Sequence, residues 1–453
     1  MKRLAQRYWN EALETLEWAE VEAWQSAQLG SYLEALVRRS PMYAQLYEGL
    51  PTDFRFRSLA DLQALPFTLK DNVRAAQEAS SAANPLGRNQ AVDTEEIIQV
   101  LSSSGSTGTP IYYGLTARDA DAVTDAVANT FFTAGIRRSD VVAHLVGLPM
   151  LAGGLPYADG FRRIGATLCW LGGFPTDRIL REMRRLRTTA LLATTSFGLY
   201  LSEQWAQVDD GRGTPSALVK VLCGGEPGLD QPQVRNRIIN GLGTSHVRET
   251  MGLGDVISGM WGECESGAGM HFNAQKYVAV EIIDPDSGQV LPWKEGTTGE
   301  IVYTALAREA TPLVRYRSRD HALVTGMHGC ACGRTSPRIR CIGRTDDMLI
   351  YKGMNVFPTA IRDLIMQHLG DRLEPTMRIW KERPDQVSFD QPMEIEIEAQ
   401  KHLPDEEYES VAHAVESLVR SRLQVRVTAT VTPPGSLPRS VYKNSLLAVK
   451  GVT

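Results

Sequence analysis

The stretch Leu101-Ser102-Ser103-Ser104-Gly105-Ser106-Thr107-Gly108-Thr109-Pro110 carries Ser, Thr or Gly at eight of its ten positions. Such a loop can close around an anion, because it offers backbone N–H groups and short hydroxyls instead of bulk. It follows Glu95-Glu96-Ile97-Ile98-Gln99-Val100, which reads as a strand. A flexible Ser/Gly linker is the rival reading. No Gly-Lys-Ser/Thr follows, which separates the loop from the Walker type. The cysteines carry a second chemistry. Cys330-Ala331-Cys332-Gly333 brings two thiols into one tight turn, and Cys264 precedes His271 by seven residues. Three Cys and one His complete a closed tetrahedral zinc shell, which implies a structural role. His321, His328 and Cys341 are rival ligands, and burial as small hydrophobes is the alternative for the thiols. Cys169 and Cys223 lie in apolar strand contexts and read as core.

The elements that must position these groups alternate in type. Apolar residues at helical spacing run from Tyr8 to Tyr47, with Pro41 separating two helices. Val141 to Val146, Ala190 to Thr194 and Ala217 to Leu222 read as buried strands, with helical stretches such as residues 119–134 between them. That alternation predicts an α/β fold: a large layered N-terminal domain with mostly parallel sheets. Asp284-Pro285-Asp286-Ser287-Gly288 reads as a hairpin turn. Past Asp320 the texture becomes that of a small α+β C-terminal domain. It has strands at residues 348–351, 393–398 and 425–431 and helices at 359–369 and 405–423. The strand at 393–398 alternates as a half-exposed strand does. The boundary falls at Asp346, giving domains 1–345 and 346–453.

Length agrees, since 453 residues exceed one ordinary core. A net charge of −5 gives no reason to expect nucleic acid or an anionic membrane as partner. The N-terminus lacks a signal-peptide core and no apolar run reaches membrane-spanning length, while six cysteines are too few for a disulfide scaffold. The cytoplasm is the expected compartment.

The Ser/Gly loop resembles the phosphate loop of adenylate-forming enzymes, which join a carboxylate to ATP as an acyl-adenylate. Three further stretches resemble the same superfamily in the same order. They are Tyr316-Arg317-Ser318-Arg319-Asp320, Gly343-Arg344-Thr345-Asp346-Asp347-Met348-Leu349-Ile350, and Leu437-Pro438-Arg439-Ser440 with Lys443. Pro66-Phe67-Thr68-Leu69-Lys70, Gly224-Gly225-Glu226-Pro227 and Lys352-Gly353-Met354-Asn355-Val356-Phe357-Pro358 narrow the resemblance to the phenylacetate–CoA ligase family.

The resemblance implies residue roles. Ser103, Ser104, Gly105, Ser106, Thr107, Gly108 and Thr109 would hold the ATP phosphates. Gly225, Glu226 and Pro227 would form the nucleotide wall, Asp320 would accept the ribose hydroxyls, and Arg344 would contact ribose or phosphate. Met251-Gly252-Leu253-Gly254-Asp255 stands where the family carries Tyr-Gly-Leu-Ser/Thr-Glu and departs from it at three positions. Met251 and Gly252 would meet the nucleotide and Asp255 the Mg²⁺, with Glu249 as a rival acid. Lys443 would be the mobile cation of acyl-AMP formation, and Asp346 the hinge. Val146, Leu151, Gly153 and Gly225 would wall the acid. The implied activity is ATP-dependent conversion of an aromatic acid to acyl-AMP and transfer to CoA, with Mg²⁺ and a structural Zn²⁺. An adenylating amide synthetase, a carrier-protein loading enzyme and a non-catalytic nucleotide-binding relative are the alternatives. A homodimer is left open.

Overall fold

The computed structural model describes residues 6–51, 54–103, 110–146, 150–208, 216–226, 228–244, 246–344, 347–352, 354–384, 386–438 and 445–451. The calls on Ser104, Gly105, Ser106, Thr107, Gly108, Thr109, Pro227, Asp346 and Lys443 lie outside the described residues.

The N-terminal helix Trp18–Arg39 buries Val21, Leu29, Leu33 and Leu36, one apolar stripe at helical period. Ser40 ends it and caps the next helix, Pro41–Leu46, by accepting from the Tyr43 N–H at 3.4 Å. Pro41 sits at the first helical position, where its missing N–H costs nothing. Two helices therefore meet at Pro41, as the sequence predicts.

An eleven-stranded sheet forms the centre. Thr167–Trp170, Val141–His144, Ala190–Thr194, Lys220–Gly224 and His246–Leu253 are neighbours in that order and all parallel. Every residue of Ala190–Thr194 is buried, as befits a strand covered on both faces. Leu191 and Val221 are fully buried, each side chain contributing about 1.5–3 kcal/mol through its removal from water.

Beyond His246–Leu253 the sheet turns antiparallel, through Ile257–Glu263, Met270–Phe272, Arg338–Arg344, Tyr316–Gly326, Thr298–Ala305 and Val278–Ile283. The α/β class holds, but the sheet is mixed rather than mostly parallel. The reason is local. Residues 254–256 are all that join His246–Leu253 to its neighbour, and a parallel crossover needs a dozen residues or more.

Some strand limits also move. Thr94–Glu96 is a 3₁₀ turn, and the strand before the Ser/Gly loop is Gln99–Ser102, paired antiparallel with Tyr112–Leu115. The strand expected from Ala217 begins at Lys220. Cys223 is core, but Cys169 is only half-buried, on the edge strand of the sheet.

Residues 349–449 build two small sheets. Three strands, Met354–Val356, Leu349–Tyr351 and Ser388–Phe389, make one. Val427–Thr432, Met393–Ala399, Leu373–Lys381 and Leu447–Val449 make the other. The helices Pro358–Leu369 and Tyr408–Leu423 share with them a core of their own, around Ile361, Ile379, Ile395, Ile397, Val411 and Val415. Met393–Ala399 alternates as expected only at Glu394 and Glu396. Glu398 is fully buried, and its carboxylate accepts from the Leu437 N–H at 2.8 Å. That bond pins the chain at Leu437, six residues before Lys443 in sequence. Among the described residues no helix is long and apolar enough to cross a membrane.

Candidate functional site

A cavity of about 200 Å³ opens beyond the carboxyl ends of the parallel strands, where α/β sheets bind ligands. Ser103, Val146, Gly153, Gly225, Glu226, Met251, Gly252, Asp255, Asp320 and Arg344 all line it, although the sequence spreads them over 242 positions. Leu151 does not. It bridges to Ser102 at the foot of the Ser/Gly loop.

Ser103 closes the base of that loop. Its N–H donates to the Ile111 carbonyl at 2.9 Å, and its Oγ accepts from the Ile111 N–H at 3.3 Å. Two glycines on the opposite wall are steric necessities. A Cβ at Gly224 would stand 2.4 Å from the Thr250 carbonyl oxygen, and one at Gly252 would stand 1.9 Å from that of Ser258. Glu226 lines the cavity as predicted, but its carboxylate is engaged. Its Oε1 accepts the Ser196 N–H at 2.6 Å, at the start of the helix Thr195–Gln204, where a negative charge is favoured.

Asp255 is buried, and its Oδ1 accepts from the Tyr113 hydroxyl at 2.5 Å. Burial, then the Asp255 charge, keeps that phenol far from ionising. Glu249 is the rival acid and also lines the cavity. Burial pushes its carboxyl up to about 8, with Asp230 and Glu263 adding to the effect. Both acids thus face the cavity, Asp255 held by the Tyr113 hydroxyl and Glu249 shifted by burial toward its neutral form.

Arg317 and Arg319 are the arginines nearest Asp320 in sequence and could pair with it. Both arginines turn instead to Glu300, at 2.7 and 3.7 Å. Asp320 faces Arg344, whose Nη1 donates to Oδ1 at 2.8 Å.

Sequence reasoning assigned no role to Lys70, Tyr157 or Ser258, which also line the cavity. Lys70 starts the helix Lys70–Glu78, and its motif had been singled out without a task. The Tyr157 hydroxyl donates to the Ser258 carbonyl at 2.7 Å. Val146, Ala152, Gly153 and Leu192 give the cavity an apolar or small-residue stretch of lining.

Away from the cavity, Cys264, His271, Cys330 and Cys332 converge, with all four ligand atoms within 4.8 Å of one another. Cys264 Sγ and Cys330 Sγ are 3.6 Å apart, and Cys332 Sγ lies 3.3 Å from His271 Nε2. His271 Nδ1 lies 3.3 Å from the Ser336 carbonyl oxygen, an acceptor that turns Nε2 toward the thiols. Among the described residues His321, His328 and Cys341 are not part of this group. His321 packs on Phe357, ring centroids 5.0 Å apart, and Cys341 lines the main cavity.

Residues 353–448 match the family described as AMP-binding enzyme C-terminal domain. The chain is 31% identical to a phenylacetate–coenzyme A ligase of Thermus thermophilus, over 94% of this chain and 96% of the relative. Among solved structures it is similar to 2-hydroxyisobutyryl-CoA ligase in the postadenylation state with 2-HIB-AMP. The identity there is 25%, the coverage 100% of this chain and 94% of that one, and the TM-score 0.87. Against the same enzyme in the thioesterification state, with 2-HIB-AMP and CoA, the identity is again 25%. The coverage is 99% and 94%, and the TM-score falls to 0.69.

Proposed function

This chain belongs to the phenylacetate–coenzyme A ligase family, and from that premise we propose that it activates an aromatic carboxylic acid with ATP and passes the acyl group to CoA. The observation that carries the reading is the single cavity into which Ser103, Asp255, Asp320 and Arg344 converge from four separate motifs.

In the first step the acid carboxylate attacks the α-phosphorus of ATP and pyrophosphate leaves. The protein's part is positioning and charge stabilisation. The loop closed by Ser103 cradles the phosphates, and Lys70, which also lines the cavity, adds a positive charge. Asp320 accepts the ribose hydroxyls, and Arg344 fixes that carboxylate. Asp255, oriented by Tyr113, is the acid for Mg²⁺, which offsets phosphate charge when bound. Lys443 supplies the cation at the reacting centre, and Asp346 is the hinge about which residues 346–453 turn before the CoA thiol attacks the acyl carbon and AMP leaves. The apolar lining between Val146 and Leu192 fits an aryl group better than a charged chain.

The Cys264–His271–Cys330–Cys332 group is a closed structural zinc site in this proposal. Zinc–sulfur bonds of about 2.3 Å at tetrahedral angles separate two sulfurs by about 3.8 Å, close to the 3.6 Å between Cys264 and Cys330. None of the four lines the cavity, so the ion would act on stability and not on the reaction.

The test is product analysis by mass spectrometry with phenylacetate, benzoate and aminobenzoate, each with ATP, Mg²⁺ and competing CoA and amine acceptors. The expected products are AMP, pyrophosphate and an aryl-CoA thioester. An amide as the main product would replace CoA as the acceptor.

A further inference from the structure

The helix Pro232–Leu242 belongs to the large sheet-bearing body, and the strand Leu373–Lys381 to the small C-terminal one. An ion pair ties them. Arg237 Nη2 lies 2.8 Å from Glu374 Oε2, and the same nitrogen lies 3.0 Å from Glu203 Oε1 on the helix Thr195–Gln204. The Glu374 side chain is only 7% exposed and that of Arg237 26%, so solvent screens the contact weakly. Beside it the Gln233 amide donates to the Gln367 carbonyl at 3.4 Å. The Arg362 guanidinium also fits against Gly228, where a Cβ would stand 2.8 Å from Nη2. Glu203, Arg362 and Glu374 then border a second cavity, of about 70 Å³, between the two bodies.

This contact belongs to one of two arrangements. At equal identity the chain fits the postadenylation state of the solved ligase far better than its thioesterification state, with TM-scores of 0.87 and 0.69. Coverage is near-complete in both cases, so the two scores differ in geometry and not in the length compared.

We propose that Arg237 and Glu374 form a latch that holds the chain in its adenylating arrangement and must open before thioester formation. The proposal rests on the two-step reading above. The asymmetry of the contact suits a reusable catch. When Glu374 leaves with the small body, its carboxylate enters water, while Glu203 still pairs Arg237 and keeps it aimed for the return. A buried carboxylate without its arginine is strongly disfavoured, so closure and pairing are coupled. Arg237 and Glu374 are positioning residues, since neither lines the main cavity.

The test compares the wild type with Glu374→Lys and, from the other side of the contact, Arg237→Met. ATP–pyrophosphate exchange with phenylacetate reads the first half-reaction. Thioester formation from supplied phenylacetyl-AMP and CoA reads the second. Small-angle X-ray scattering reads the arrangement without any substrate. The exchange rate should fall about tenfold in both variants, while the second half-reaction stays within about twofold of wild type or rises. The scattering of the variants should depart from the closed arrangement that the wild type fits. Equal loss in both half-reactions, or unchanged scattering with an unchanged ratio of rates, would overturn the latch. A wild type inactive on phenylacetate would count against the substrate reading alone, and the scattering would still decide the latch.

Discussion

Asp320 and Arg344 stand opposite each other in register on two antiparallel strands, with Arg344 Nη1 donating to Asp320 Oδ1 at 2.8 Å. The sheet, not the local sequence, makes the pair. The strand pairing sets the distance between the carboxylate we propose for the ribose hydroxyls and the cation that orients it, 24 residues further on.

Asp320→Asn keeps the shape but removes the charge that Arg344 faces. The KM for ATP should rise between about ten- and a hundredfold, which corresponds to about 1.4–2.8 kcal/mol of lost binding. Exchange kinetics measure it. A drop in melting temperature with an unchanged KM would make Asp320 a purely structural partner of Arg344.

The two candidate metal acids separate by titration in Mg²⁺. Asp255→Asn should raise the Mg²⁺ concentration for half-maximal exchange at least tenfold, whereas Glu249→Gln should leave it within about twofold. Tyr113→Phe, which releases Asp255 Oδ1, should fall between them. The reverse order would hand the role to Glu249.

Glu249 also predicts a pH dependence of stability. In the folded protein burial pushes its carboxyl up to about 8, above the ordinary glutamate value of about 4.5. The folded protein therefore binds more protons than the unfolded chain between those values. Stability attributable to this group is full below pH about 4.5, declines as pH rises, and is lost above about 8, with a slope of up to about 1.4 kcal/mol per pH unit. Glu249→Gln should flatten the decline and raise the melting temperature at pH 8 relative to wild type. Parallel melting curves for the two proteins across that window would refute the burial argument.

Protein purified without chelator should hold about one zinc per chain. Cys332→Ser should lower the melting temperature by several degrees while the rate per folded molecule stays within about twofold, because a closed shell has no position for substrate. Elemental analysis that finds no zinc would leave three buried thiols and an imidazole as a packing cluster.

If Lys443 is the cation proposed above, Lys443→Ala should abolish acyl-AMP formation and leave the melting temperature within about 2 °C. Thioester formation from supplied acyl-AMP should persist. Pyrophosphate release near the wild-type rate would remove Lys443 from the chemistry.

Local composition alone determined a good deal here. The Pro41 break and the buried strand Ala190–Thr194 each follow from side-chain chemistry at short range, and chain order tied the motifs to one family, whereas Cys264 meets Cys330 only across 66 residues. What the sequence could not decide depends on which strands become neighbours. The sheet is mixed because three residues after Leu253 leave room only for a hairpin. Glu226 spends its carboxylate on a helix start 30 residues upstream, and Glu398 spends its own on the Leu437 N–H 39 residues downstream. Neither use leaves a periodic trace. Tyr157 and Ser258 meet across 101 residues, and Arg237 meets Glu374 across 137. Side-chain pattern reports which face of an element is buried, whereas contacts at such separations exist only once the chain has closed on itself.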